Sequence, residues 1–270
     1  MVPSLTLEYT EAGNLDDRMD AVKRAGFTCV NLYSGICKHL MQSVCSETKV
    51  LKSKLQQRGL AVDWLHAPYV YPVLYDMDIE KFSVSVGALK TAVNIAAELG
   101  ARSLVVHPFD LDFPKDVDRG DAVDQLLHAF SVLVDYSHRY GVHIAVENID
   151  EPYSKRLLRV LFEKVPGLMF CFDTGHANMW RTWEQYVPRY LNKISALHIH
   201  DNHGQTDEHL LPGDGVIDFV SFFKMLKADG YNGYLGIECV QRISNYPGGH
   251  LDLAATIFQR MAQMLNPNIA

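Results

Sequence analysis

No stretch of this 270-residue chain approaches the roughly 20 consecutive apolar residues that a membrane-spanning helix requires. The first residues, Met1-Val-Pro-Ser-Leu-Thr-Leu-Glu, also lack the basic n-region and long apolar h-region of a secretory leader, which predicts a cytoplasmic protein. Cysteine is scarce. Five residues (Cys29, Cys37, Cys45, Cys171 and Cys239), an odd count without CxxC spacing, read as core or surface thiols and indicate neither a disulfide framework nor a thiolate zinc site. Positive charge is in deficit: 25 Lys and Arg stand against 32 Asp and Glu, a formal net charge of −7, so a broad basic face for a phosphate backbone is not expected. A Gly-rich phosphate fingerprint, an internal repeat, low-complexity tracts and Pro-rich linkers are missing as well, which leaves Rossmann and multidomain readings little support.

What is present is ordinary globular composition, 48% hydrophobic and 21% charged, enough apolar surface to fill a large core. The length matches a single α/β barrel, typically about 250 residues, and residues 1–270 read as one domain. Strand-like apolar runs at residues 5–9, 29–33, 61–66, 103–107, 142–147, 168–173, 194–199 and 234–238 alternate with amphipathic stretches such as 15–25, 84–99, 121–140 and 251–264. Gly26, Gly100, Gly141 and Gly230 stand where helices usually stop, shortly before the next strand. Eight βα units with short connections predict a (β/α)8 TIM barrel whose site lies at the C-terminal rim of the strands.

Side chains able to bind metal or move protons recur at that rim. Glu147, Asp173, His198 and Glu238 sit on the last four strands, three of them at strand ends, and oxygen and imidazole ligands there converge if the strands close into a barrel. Three carboxylates and one imidazole form a hard shell that suits Mn²⁺, Mg²⁺ or Co²⁺ and is also compatible with Zn²⁺. His176, three residues after Asp173 in a strand-to-helix turn, is placed to bind metal or polarise a substrate oxygen. Asp207 and His209, in the Gly- and Pro-bearing loop beyond the seventh strand, are candidates for a second metal or a substrate contact. His66 and His107 end the third and fourth strands as candidate substrate contacts, and Arg242, four residues after Glu238, is placed to meet a phosphate or carboxylate. His128, His138 and His143 read as surface or packing residues, and His200 and His203 as residues that stabilise the rim loop around Asp201-Asn202.

The motifs Val-Glu147-Asn, Phe-Asp173-Thr-Gly-His176, Leu-His198-Ile-His-Asp-Asn, Asp207-Glu-His209-Leu-Leu-Pro-Gly-Asp-Gly215 and Ile-Glu238 make the chain resemble the xylose isomerase-like TIM-barrel superfamily over essentially its whole length. That superfamily includes sugar and sugar-phosphate isomerases and epimerases and the endonuclease IV type of abasic-site enzyme. The resemblance implies a divalent metal held by Glu147, Asp173, His198 and Glu238, with His176 beside the substrate. Within His198-Ile-His200 the first histidine matches the family ligand and His200 falls at a variable polar position.

Enediolate chemistry on a small sugar, keto sugar, polyol or sugar phosphate follows as the expected activity, Glu147 and Glu238 exchanging the proton. The endonuclease branch binds three zinc ions through nine ligands, and His66, His107, Glu147, Asp173, His176, His198, Asp207, His209 and Glu238 match them all. A zinc phosphodiesterase acting on abasic DNA is therefore the rival expectation. Two departures disfavour nucleic acid: Ala-Asn-Met-Trp180 follows His176, and acidic residues 110–118 follow His107 where that branch carries a lysine- and asparagine-rich stretch. The Asp207-Glu-His209 insert, conversely, departs from the shorter, arginine-bearing loop of the ketose 3-epimerases. A non-catalytic sugar-binding barrel is the third reading, and a homo-oligomer is compatible with the sequence.

Overall fold

The computed structural model describes residues 1–69, 74–109, 119–149, 152–239 and 249–266. Eight parallel strands, β1 (Val2–Thr6), β2 (Cys29–Leu32), β3 (Ala61–His66), β4 (Ser103–Val106), β5 (His143–Glu147), β6 (Met169–Asp173), β7 (Ile194–His198) and β8 (Tyr234–Ile237), form one sheet in the order 7-6-5-4-3-2-1-8. The seam between β7 and β8 is closed by two hydrogen bonds. Ile199 N–H donates to the Gly236 carbonyl at 2.8 Å and Glu238 N–H donates to the Ile199 carbonyl at 3.0 Å. With helices on every crossover, this is the expected (β/α)8 barrel. Among the described residues no helix is long and apolar enough to cross a membrane.

Local chemistry explains where the helices begin and end. Asn14 accepts from Asp17 N–H while the Asp17 side chain accepts from Asn14 N–H, a reciprocal cap that opens helix Leu15–Ala25, and Asp78 accepts from Glu80 and Lys81 N–H to open helix Ile79–Leu99. The four glycines at expected helix ends all adopt left-handed φ, between +69° and +109°. The first strand departs from expectation: it runs Val2–Thr6 and not 5–9, because Tyr9 N–H turns back to the Thr6 carbonyl. Leu5, Leu7 and Tyr9 are apolar because all three are fully buried, and the alternation outlasts the strand. All five cysteines are free thiols, with only Cys45 exposed.

Side chains alternate across a strand with a period of two, and here the period sorts two chemistries. Outward residues such as Leu65, Val106, Val146, Phe172, Leu197 and Ile237 join the large core beneath the helices. The inward residues Trp64, Val105, Ala145, Cys171 and Ala196 form a separate small cluster, each fully buried. Two positions further along the same strands stand His66, His107, Glu147, Asp173 and His198, and Gly236 precedes Glu238 in the same way. A Cβ added to Gly236 would lie 2.4 Å from Trp64 Nε1 and 2.4 Å from the Leu197 carbonyl oxygen, so glycine leaves the space this indole fills. A floor of one tryptophan and small residues thus supports the candidate ligands.

At the opposite, N-terminal end of the barrel, the fully buried Asp63 meets Arg102 at 3.1 Å. Burial pushes the Asp63 carboxyl up to about 6, with the Arg102 guanidinium opposing the rise. The folded chain therefore holds a proton that an unfolded aspartate, titrating near about 4, has already released. This contribution to stability is full below pH of about 4 and is lost as pH rises to about 6, each unit being worth about 1.4 kcal/mol. Asp63→Asn is expected to lack it. Urea unfolding of both proteins from pH 4 to 7 should show the wild type losing stability relative to the variant over that window, and parallel curves would contradict the assignment.

Candidate metal centre

Glu147 is the hub of the rim. Its carboxylate is 2% exposed and is met by four imidazoles: His66 Nε2, His107 Nε2 and His198 Nδ1 lie 3.3, 3.1 and 3.3 Å from Oε2, and His176 Nδ1 lies 3.3 Å from Oε1. Burial pushes this carboxyl up, but the neighbouring imidazoles, His198 and His107 foremost, outweigh it and hold it well below the usual carboxylate range. Burial likewise pushes His198 down, yet Cys171, Glu147 and Glu238 leave it well above its ordinary value. His107 shows the reverse balance, with burial prevailing and lowering it.

His198 Nδ1 faces all three carboxylates at once, 2.7 Å from Glu238, 3.3 Å from Glu147 and 3.7 Å from Asp173. Among the described residues, neither nitrogen of this fully buried ring has a hydrogen-bond partner of acceptable geometry. Buried polar atoms are nearly always satisfied, so a nitrogen ringed by carboxylate oxygens at non-hydrogen-bonding angles fits a site shaped for a cation. Donor groups within 4.8 Å of one another include Asp173 with His198 and Glu238, Glu147 with Asp173 and His176, His66 with His107 and Glu147, and His200 with His209 and Glu238.

The motifs around these groups are built by cross-strand hydrogen bonds. Asn148 carries the sheet one step beyond the strand ends: its amide donates to the Asp173 carbonyl at 3.0 Å and accepts from Asp173 N–H at 2.7 Å. Asp173 in turn caps the short helix Thr174–Met179, accepting from His176 N–H at 2.7 Å. His176 Nδ1 lies 2.9 Å from the Asn148 carbonyl oxygen, which fixes it as the donor nitrogen and leaves Nε2 facing Asp207 at 3.5 Å. His66 Nδ1, 2.6 Å from the Ala67 carbonyl, is fixed in the same sense.

The loop after β7 is organised, and Asp201 organises it. This buried carboxylate accepts from four backbone N–H groups, those of Asn202, Gly213, Gly215 and Ile217, at 2.9 to 3.1 Å. A Cβ on Gly215 would stand 2.3 Å from Asp201 Oδ1, so the Pro-Gly-Asp-Gly turn closes only with glycine there. The bridge between Asp201 and Leu210 then swings Asp207 and His209 back over the rim, His209 taking a left-handed φ of +49°.

Glu147, Asp173, His198 and Glu238, with His66, His107, His176, Asp207 and His209, are thus brought together. Arg242 and the acidic residues 110–118 lie outside the described residues. His200 carries more than loop stability: it is fully buried with Nε2 3.1 and 3.0 Å from the two Asp173 oxygens. The signal available in sequence was the doubled His198-Ile-His200, which keeps the inward period one step past the strand. His203, by contrast, is exposed and pairs with Glu208.

Asp201→Ala is expected to lower unfolding stability by about 2–4 kcal/mol, since it strands several backbone donors around one buried acceptor. Urea midpoints and proteolysis mapped to residues 203–216 would register the loss, and an unchanged midpoint would contradict it.

A family model described as xylose isomerase-like TIM barrel matches residues 19–259. Inosose dehydratase of Geobacillus thermodenitrificans is 26% identical over 236 residues, covering 72% of this chain and 74% of its own. The crystal structure of a D-tagatose 3-epimerase-like protein superposes with a TM-score of 0.80 at 23% identity, covering 100% of both chains. That of the IolI protein with a bound zinc atom gives a TM-score of 0.79 at 16% identity, again over 100% of both chains.

Proposed function

The chain belongs to the xylose isomerase-like TIM-barrel family, and from that premise we propose that it is a divalent-metal-dependent isomerase or epimerase of a small sugar, keto sugar, polyol or sugar phosphate. The observation that carries the reading is the unsatisfied His198 Nδ1 facing three buried carboxylates. Glu147, Asp173, His198 and Glu238 would hold the metal. Bound there, a divalent ion supplies Lewis-acid polarisation of carbonyl and hydroxyl oxygens. The relatives support the same class of chemistry, because epimerising a ketose at the carbon next to its carbonyl, or dehydrating an inosose, begins by removing a proton beside a carbonyl.

The residues of this chain divide that work. Glu147 and Glu238 both reach the same His198 nitrogen, so a substrate seated over it lies between two carboxylates, one to take a proton from carbon and one to return it. Burial pushes His176 down, but Asp173, Asp207 and Glu147 outweigh it and hold the ring well above its ordinary value, so with Nδ1–H committed to the Asn148 carbonyl it also carries an Nε2–H at the mouth to polarise the substrate oxygen. Trp64 and the small residues below exclude water from the underside, which strengthens every charge interaction above them.

Glu147→Gln and Glu238→Gln are each expected to lower solvent-deuterium exchange into ketose substrates by at least about 10²-fold, in protein supplied with Mn²⁺ or Co²⁺. Wild-type exchange in either variant, or none from the wild type across a broad panel of sugars and sugar phosphates, would overturn the proposal; binding without exchange would indicate a sugar-binding barrel.

One observation favours a second reading, a zinc phosphodiesterase. His66 and His107 both press on Glu147 Oε2, and His176 and His209 flank Asp207 at 3.5 and 3.3 Å, donors enough for more than one ion. Asp207→Asn combined with His209→Ala separates the two. For a zinc cluster, elemental analysis should show the metal-to-protein ratio falling by about one, with loss of abasic-DNA cleavage. For the isomerase, the ratio stays near one in both proteins and neither cleaves.

A further inference from the structure

His200 stands one inward step above the metal-binding layer, and four separate contacts fix its ring. Its backbone is locked to Thr174 in both directions: Thr174 Oγ1 donates to the His200 carbonyl at 2.8 Å and accepts from His200 N–H at 3.1 Å. Its edge occupies space that only glycine leaves open, since a Cβ on Gly175 would lie 1.9 Å from His200 Cε1. The His209 ring stacks on it at 4.0 Å between centroids and 8° between planes. Nε2 spans both oxygens of Asp173, at 3.1 and 3.0 Å, while Nδ1 is buried without a hydrogen-bond partner among the described residues. With a carboxylate to meet at Nε2 and no acceptor at Nδ1 among the described residues, the ring carries its proton on Nε2.

We propose that His200 is a positioning residue for Asp173: its Nε2–H bridges both carboxylate oxygens and holds the carboxylate in one orientation toward the site where Asp173 would bind the metal. Two nearly parallel stacked rings are poorly aimed to share one ion, so the pair works as a wedge behind Asp173 and not as a chelate. The inference rests on the proposed metal centre, and the glycine of Asp-Thr-Gly-His acquires a reason: it vacates the seat of the ring.

Equilibrium dialysis of the full chain against Co²⁺, read by elemental analysis and by the visible absorption of the bound ion, tests it. His200→Ala is expected to weaken Co²⁺ binding by about ten- to a hundred-fold, the range for losing a group that orients a ligand. His200→Gln, which keeps an N–H near the Nε2 position, is expected to recover most of that loss and the wild-type spectrum. Should His200→Ala fail to fold, His200→Leu, which fills much of the seat without a donor, replaces it. A loss below ten-fold, or a Gln variant as weak as the donor-free one, overturns the proposal while leaving the metal centre standing. Absence of Co²⁺ binding by the wild type overturns both.

Discussion

The two-residue period of the strands is the constraint on which the rest of this molecule depends. Because the sheet closes on itself at the Ile199–Gly236 hydrogen bond, every inward position must be filled, and there is no room for six large side chains at one level. Small residues at the level of Ala145, Cys171, Ala196 and Gly236 admit the Trp64 indole, and that plug forms the floor on which the next inward level stands. The next level carries the imidazoles and carboxylates. A slip of one residue in any of β3 to β8 would turn its rim imidazole or carboxylate out toward the helices.

Gathering Glu147, Asp173 and Glu238 at 2% exposure or less is unfavourable unless positive charge is gathered with them. Two compensations exist here. Protonated imidazoles supply one, and a divalent cation the other, and the arrangement around His198 Nδ1 suits the second better because its contacts to carboxylates are close without being hydrogen bonds. Several of the candidate ligands are also backed by a neighbour: Asn148 ties Asp173 to β5, the His176 turn is capped by Asp173, and Asp201 holds the loop that returns His209 to the rim. Such outer contacts restrict rotamers, and a metal site whose ligands are already held loses less entropy on binding.

The family and the chemistry are separate conclusions. Membership of the xylose isomerase-like TIM barrels accounts for the architecture and for where the site lies, but barrels of one fold support many reactions through their rim loops. In this chain the loop after β7 folds an aspartate and a histidine back over the strand-end residues, and a histidine pair is stacked behind Asp173.

Strand count, the glycine helix stops and the rim position of Glu147, Asp173, His198 and Glu238 were readable in the chain because each rests on local rules: alternation for strands and glycine at left-handed stops. The first strand was misplaced for the same reason, since Leu5, Leu7 and Tyr9 alternate like a strand but owe their burial to the core on either side of a turn. Local rules could not separate His200 from His203, two histidines of one loop. The first is sealed against Asp173 and the second lies exposed against Glu208, and the difference is made by Thr174 and Gly175, 26 and 25 residues earlier in the chain. The sequence by itself determined which residue types reach the rim, through the period of its strands. Only the closed barrel decided which of them share a carboxylate, which ring needs a missing Cβ and which aspartate becomes an anchor, because those contacts join segments whose proximity no local pattern encodes.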